Sequence, residues 1–161
     1  MLFLIAMPLH AEIDKAVNYD YSNIKCTRVV DGDTIVLEND ERVRLTGIDT
    51  PETYKSKKLY KDAERTGQDI ETIRAMGKKA TEFVKKLVGG KQVRLEFDVQ
   101  ERDRYGRLLA YIYLLDGTFV NAEIVKQGYA SLMTIPPNVK YAELFQKLYQ
   151  DARENNRGLW R

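Results

Sequence analysis

A chain of 161 residues with a net charge of +2 is long enough to bury its own core as one domain, and too mildly basic for its overall charge to point to any partner. A single cysteine, Cys26, excludes an intrachain disulfide. The one histidine, His10, lies in an N-terminal stretch that reads as a removable leader, which effectively rules out Ser-His-Asp and Cys-His catalysis, and one cysteine with one histidine cannot build the usual tetrahedral zinc site. What remains is oxygen chemistry: carboxylates, hydroxyls and carbonyls, with arginines beside them.

In chain order, Leu2-Phe3-Leu4-Ile5-Ala6-Met7 leads through Pro8 to Ala11 and resembles the apolar half of a secretory signal, although no basic residue precedes it. Residues 1–20 are accordingly expected to be a leader and N-terminal extension of a secreted or periplasmic protein. The apolar run is too short for stable membrane insertion, which needs roughly 20 apolar residues. Residues 21–161 are expected to form the domain.

Tyr21 to Val30 predicts a first strand, with Ile24 and Cys26 on one face, and Cys26 reads as a buried small apolar residue. Thr34–Leu37 and Glu41–Ile48 predict a hairpin turning at Asn39-Asp40. In its second strand Val43 and Leu45 share one face and Arg44 and Thr46 the other, since side chains alternate with period two. Thr53 to Gln68 is polar, lacks apolar periodicity and carries Lys55, Lys57, Lys58 and Lys61, so it predicts a long exposed loop.

The clearest helix runs from Asp69 to Val88: Ile73, Met76, Ala80, Phe83, Val84 and Leu87 recur at three- and four-residue steps, Asp69 can cap the start and Gly89-Gly90 ends it. Strands follow at Gln92–Phe97 and Leu108–Leu115, then helices at Asn121–Gln127 and Asn138–Asn155. Tyr111, Tyr113, Tyr141 and Tyr149 are expected in the core or barrel wall. The fold class is α+β, mainly β. Five strands and three helices in this order match a five-stranded OB-fold barrel, with an open α+β sheet as the alternative.

The stretch from Asp31 to Glu52 carries the chemistry. Asp31-Gly32-Asp33 occupies a turn before the first hairpin strand, and Asp49-Thr50-Pro51-Glu52 leaves the second strand close to it, so Asp33 and Asp49 can converge. Two carboxylates drawn together repel unless a cation lies between them. Carboxylates plus a backbone carbonyl suit Ca²⁺ or Mg²⁺, and such a site beside arginines suits a phosphate diester.

Three blocks then carry a resemblance: Asp31-Gly32-Asp33-Thr34, Arg44-Leu45 through Asp49-Thr50-Pro51-Glu52, and Asp103-Arg104-Tyr105-Gly106-Arg107. Together with Val120-Asn121, Val125-Lys126-Gln127-Gly128-Tyr129-Ala130 and Gly158-Leu159-Trp160, they resemble the signature of the staphylococcal nuclease (thermonuclease) family, in its order and across Ile24 to Trp160. The resemblance implies an OB barrel that cleaves DNA and RNA, with single strands preferred, and leaves 3′-phosphate ends. It implies Ca²⁺ held by Asp33, Asp49 and the Thr50 carbonyl, with Asp31 as an outer acidic neighbour. It further implies Glu52 as general base on the attacking water, and Arg44 and Arg107 gripping the scissile phosphate.

Tyr105 stands as an aromatic wall for a base, and Lys57 and Lys58 as guides for the phosphate backbone. The segment Leu132–Pro137 lies where the best-known member of that family presents tyrosines against the base, and carries none. A monomer is expected. The rival readings are a non-catalytic OB module that binds single strands and a calcium-binding structural protein; survival of the carboxylates together with both arginines favours the enzyme.

Overall fold

The computed structural model describes residues 19–161, so the expected leader lies outside the described residues save for its last two positions. Seven strands, four α-helices and a terminal 3₁₀ turn are formed among the described residues. Strands β1 (Ile24–Asp31), β2 (Thr34–Leu37), β3 (Arg42–Leu45), β5 (Gln92–Arg102) and β6 (Leu108–Leu114) close a barrel in the order β1-β2-β3-β6-β5. Every pair is antiparallel except β3 and β6, which run parallel with Val43 opposite Leu108, Arg44 opposite Leu109 and Leu45 opposite Ala110. Closure lets each strand bury an inward face and leaves the barrel no free edge.

The predicted second hairpin strand, Glu41–Ile48, is divided. Thr46 leaves the barrel, and β4 (Gly47–Asp49) pairs instead with β7 (Ser131–Met133), placing Asp49 opposite Ser131. Gly47 makes the break possible. Its φ is +84°, and a β-carbon there would collide with the Phe145 ring. Asn121, fully buried on α3 (Val120–Lys126), stitches the break: its amide accepts from Ile112 N at 2.9 Å and donates to Thr46 O at 2.9 Å.

A second prediction is also corrected. The segment Thr53–Gln68 is not a long loop; it contains helix α1 (Lys57–Thr66), which raises the helix count from the expected three to four. Ser56 caps its start by accepting Leu59 N, and Gly67, with φ 71°, ends it by donating to Ala63 O. Only Leu59 is buried from this helix, which is why no apolar period is visible. Helix α2 (Ile70–Val88) follows the prediction, with Asp69 accepting Thr72 N at 2.9 Å as its cap.

The barrel interior is filled by Ile24, Cys26, Val43, Leu45, Val93 and Ile112 among others. Burial pushes the Cys26 thiol up to about 11, which leaves it inert, as expected of a core cysteine. The tyrosines also sit as expected. Tyr111 lies 4.7 Å from the Tyr141 ring, Tyr113 stacks on Phe119 at 4.5 Å, and Tyr149 meets Trp160 edge-on, all against α4 (Ala142–Glu154) or its flanks.

Candidate active site

The site begins at the β1–β2 turn. Asp31 accepts the Asp33 amide at 3.1 Å, closing an Asx turn. Asp33 is buried and fully engaged: Oδ2 accepts Thr50 N at 2.8 Å and Thr50 Oγ1 at 3.1 Å, while Oδ1 accepts Thr34 Oγ1 at 3.1 Å and pairs with Arg44 Nε at 3.3 Å. Gly32 lets the turn press against Thr50, whose side chain would lie 2.7 Å from a β-carbon at that position. A buried carboxylate is tolerated only with such a full set of donors.

Arg44 braces the β3–β4 bend. Its Nη1 donates to Leu45 O at 2.7 Å and Ile48 O at 2.8 Å, and its Nη2 donates to Asp49 Oδ1 at 3.1 Å. Both aspartates thus share one guanidinium, as the convergence of Asp33 and Asp49 demands.

Glu52 is positioned from the far side, by α2. Gly77 lies in mid-helix, where glycine costs about 1 kcal/mol relative to alanine, yet a β-carbon there would stand 2.6 Å from Pro51 O and 2.7 Å from Glu52 O. The glycine is a notch into which the Pro51-Glu52 backbone fits. Arg74 Nε donates to Thr53 O at 3.1 Å and fixes the next residue. The Glu52 carboxylate then accepts Ser56 Oγ at 3.2 Å on one oxygen and Lys58 Nζ at 3.0 Å on the other.

Lys58 lies at the centre of the cradle. Its ammonium is 3.0 Å from Asp49 Oδ1, 3.0 Å from Glu52 Oε1 and 3.2 Å from the Thr50 carbonyl oxygen. Among the described residues no three Asp, Glu, His or Cys side chains are gathered to hold a metal ion by themselves. The converging donors are carboxylates joined by a backbone carbonyl, all hard oxygens, a chemistry that fits Ca²⁺ or Mg²⁺.

The carboxylates differ in proton affinity. Burial, reinforced by repulsion from Asp33, pushes Asp31 up to about 7. Burial is also the largest influence on Asp33, but Arg44, the Thr50 amide and Lys58 together outweigh it and hold Asp33 below the usual carboxylate range. Asp49 is raised by burial, against the pull of Lys58 and Arg44. Lys58 loses hydration, yet Asp49 and Glu52 more than compensate and raise it above the usual lysine value.

A groove of about 440 Å³ opens on the other side of Arg44, toward the turn between β5 and β6. Asp103 organises that turn by accepting the backbone amides of Tyr105 and Arg107 and the Arg107 Nε at 2.8 Å. The two terminal nitrogens of Arg107 bond to none of the described residues, so its charge faces the groove. Tyr105 is 68% exposed at the rim, with the Arg104 and Arg107 guanidinium groups 4.8 and 5.6 Å from its ring and its hydroxyl accepting from Arg104. Met133 and Ile135 form the wall where the departure at Leu132–Pro137 was noted.

The structure therefore brings Asp33, Arg44, Asp49, Thr50 and Glu52 together, with Arg107 and Tyr105 across the adjoining groove. Lys57 is exposed on α1, while Lys58 turns into the cradle. Sequence reasoning missed Ser56, Arg104 and Asn138. Ser56 had a signal, a cap three residues before Leu59. Asn138 had none, because its bonds to the backbone of Gln100 at 2.7 and 2.8 Å join distant segments.

Residues 42–161 match the family model described as staphylococcal nuclease homologue. The chain is 39% identical over 136 residues to a thermonuclease of Staphylococcus intermedius, covering 83% of this chain and 73% of the relative. It is 35% identical over 146 residues to a thermonuclease of Staphylococcus hyicus, covering 89% and 78%. Endonuclease YncB of Bacillus subtilis is 35% identical over 143 residues, covering 86% of this chain and 61% of the relative.

Proposed function

This chain belongs to the staphylococcal nuclease homologues, and from that membership we propose that it is a calcium-dependent endonuclease which cleaves DNA and RNA and leaves 3′-phosphate ends. Its relatives are named as thermonucleases and endonucleases, and the enzyme class is a nuclease that hydrolyses nucleic acid. No helix of the described residues is long and apolar enough to cross a membrane; export, and a monomeric state, are part of the proposal.

The observation that carries this reading is the convergence of Asp49 Oδ1, the Thr50 carbonyl and Glu52 Oε1 within 3.2 Å of one cationic nitrogen, beside a groove faced by Arg107. Asp33, Asp49 and the Thr50 carbonyl are the proposed calcium ligands. Calcium held by these residues would supply positive charge to polarise a phosphoryl oxygen without proton transfer.

The chain's own residues do the rest. Glu52, held by the α2 notch and by Ser56, takes a proton from a water placed in line with the phosphorus. The water oxygen bonds to phosphorus as the bond to the 5′-oxygen breaks, so the fragment upstream of the cut keeps the phosphate on its 3′-oxygen and the downstream fragment leaves with a 5′-hydroxyl. Arg107, whose terminal donors bond to none of the described residues, matches two phosphate oxygens with its planar fork, a geometry that lysine lacks. Arg44 contributes its positive charge beside Asp49. The departing oxygen collects its proton on the groove side, where water, Arg107 and Tyr105 are candidates. Tyr105 offers a ring on which an unpaired base can stack, which favours single strands, and Lys57 extends positive charge along α1.

The test is release of acid-soluble nucleotides from denatured DNA, duplex DNA and RNA, with Ca²⁺, with Mg²⁺ and with chelator. Activity that requires Ca²⁺ and falls about 10²–10³-fold in Glu52→Gln supports the proposal, on the scale of losing one group that stabilises the transition state. A folded protein that binds single strands in Ca²⁺ but cleaves none would be a binding module instead.

A further inference from the structure

An ammonium group has three N–H donors and no acceptor, and Lys58 finds three acceptors: Asp49 Oδ1 at 3.0 Å, Glu52 Oε1 at 3.0 Å and Thr50 O at 3.2 Å. Its donor capacity is therefore filled by the same oxygens that form the cradle. A divalent calcium ion takes six to eight oxygens at roughly 2.3–2.6 Å, so it needs these donors drawn in around itself. Two cations cannot share that space.

Lys58 also has somewhere to go. It lies in the first turn of α1, a helix anchored to the core by Leu59 alone, and its side chain is about one-third exposed. Its four-carbon stem can swing the charge out to solvent without disturbing the barrel. Lys57 and Lys61, on the same helix, are exposed and make no ion pair with any described residue, so the engagement of Lys58 is particular to that position.

Resting on the metal-centre reading above, we infer that Lys58 is a tethered cation that guards the metal seat. In the metal-free protein it neutralises Asp49 and Glu52 and keeps the Thr50 carbonyl aligned; a divalent ion enters only by displacing it. The consequence is an enzyme whose cradle is prebuilt but whose calcium affinity is reduced by its own side chain. Apparent affinity falls by the fraction of time the seat is free. The ejected ammonium also moves to the mouth of the site, where it adds positive charge facing a polyanionic substrate.

The experiment is calorimetric titration of Ca²⁺ into the metal-stripped full chain and its variants, paired with thermal melting. Lys58→Met, which keeps the stem and removes the charge, binds Ca²⁺ about tenfold more tightly if the seat is free a tenth of the time. Its metal-free melting temperature falls, and the rise on adding Ca²⁺ grows. Lys61→Met leaves both values unchanged. Calcium binding by Lys58→Met that equals or is weaker than wild type overturns the inference and leaves the metal centre standing. If wild type and Lys58→Met, both folded, bind neither Ca²⁺, Mg²⁺ nor Mn²⁺, the metal centre itself fails and the inference with it.

Should the variant not fold, nitrogen-15 spectra of the wild-type lysine ammonium groups decide. One exchange-protected signal in metal-free protein that disappears on Ca²⁺ saturation supports the guard. A signal that persists at saturation overturns it.

Discussion

The two sides of the cradle are built differently. On the barrel side, Asp33, Thr50 and Arg44 are buried or nearly so and bond to one another in a chain, Thr50 to Asp33, Asp33 to Arg44, and Arg44 on to Asp49 in β4. On the helix side, Glu52, Ser56 and Lys58 are partly exposed, and the helix that carries Lys58 is fastened by one apolar residue. The first is a frame that cannot be altered without unfolding its surroundings. The second is a cap that can be rearranged at little cost to the barrel. Rigid support on one side and adjustable groups on the other is a workable division for a site that must admit and release a substrate.

Replacing Asp33 with alanine should break this comparison most severely. It removes the acceptor of the Thr50 amide and the partner of Arg44 Nε, and removing one partner of a buried ion pair costs about 3–5 kcal/mol, to be read from urea unfolding. Glu52→Ala should change the same free energy by about 0.5 kcal/mol or less, the usual range for a residue outside the core. Equal losses for the two would mean the sides are not distinct.

Gly77→Ala comes next. Its β-carbon meets the Pro51 and Glu52 carbonyls, and such overpacking costs about 1–3 kcal/mol. Because the strain falls on the Glu52 backbone, kcat should drop while KM for nucleic acid holds. A loss confined to stability would detach Glu52 from the chemistry.

Leu59→Ala should sharpen the contrast. Amide exchange should accelerate across Lys57–Thr66 while the strands keep their protection, because α1 can open locally. The smallest effect is expected outside the cradle, at Glu96 and Asp98. Burial would raise both, but hydrogen bonds from Lys140 and Tyr141 to Glu96 outweigh it, as do those from the Lys140 and Val99 amides and Tyr111 to Asp98, and both carboxyls are held below their ordinary values. Their stabilisation is therefore complete above the unfolded values, near pH 4, and drains as pH falls through the depressed folded ones. Glu96→Gln should flatten the fall of melting temperature between pH 5 and pH 3 by a small amount.

Much of this molecule was legible beforehand, for identifiable reasons. The α2 stripe and its Asp69 cap follow a period that side-chain burial imposes, so they could be read directly. The convergence of Asp33 and Asp49 followed from hairpin geometry. Helix α1 escaped because a helix with one buried residue has no apolar period, and its evidence lay instead in Ser56 and Gly67 at its ends. The division of the third strand at Thr46 escaped because it depends on Phe145 and Asn121, both far along the chain. The engagement of Lys58 was out of reach for the same reason: a lysine among lysines differs only by where the helix points it.

The parallel pairing of β3 with β6 has one more consequence. Arg44 lies in β3, and Arg107 directly precedes Leu108, the first residue of β6, which registers against Val43. The two guanidinium groups thus flank a single seam, sewn from segments that chain synthesis releases far apart. Until that seam zips, neither arginine has the other as a neighbour, so it is the closed barrel that assembles the pair. For a nuclease, topology itself acts as a safety catch.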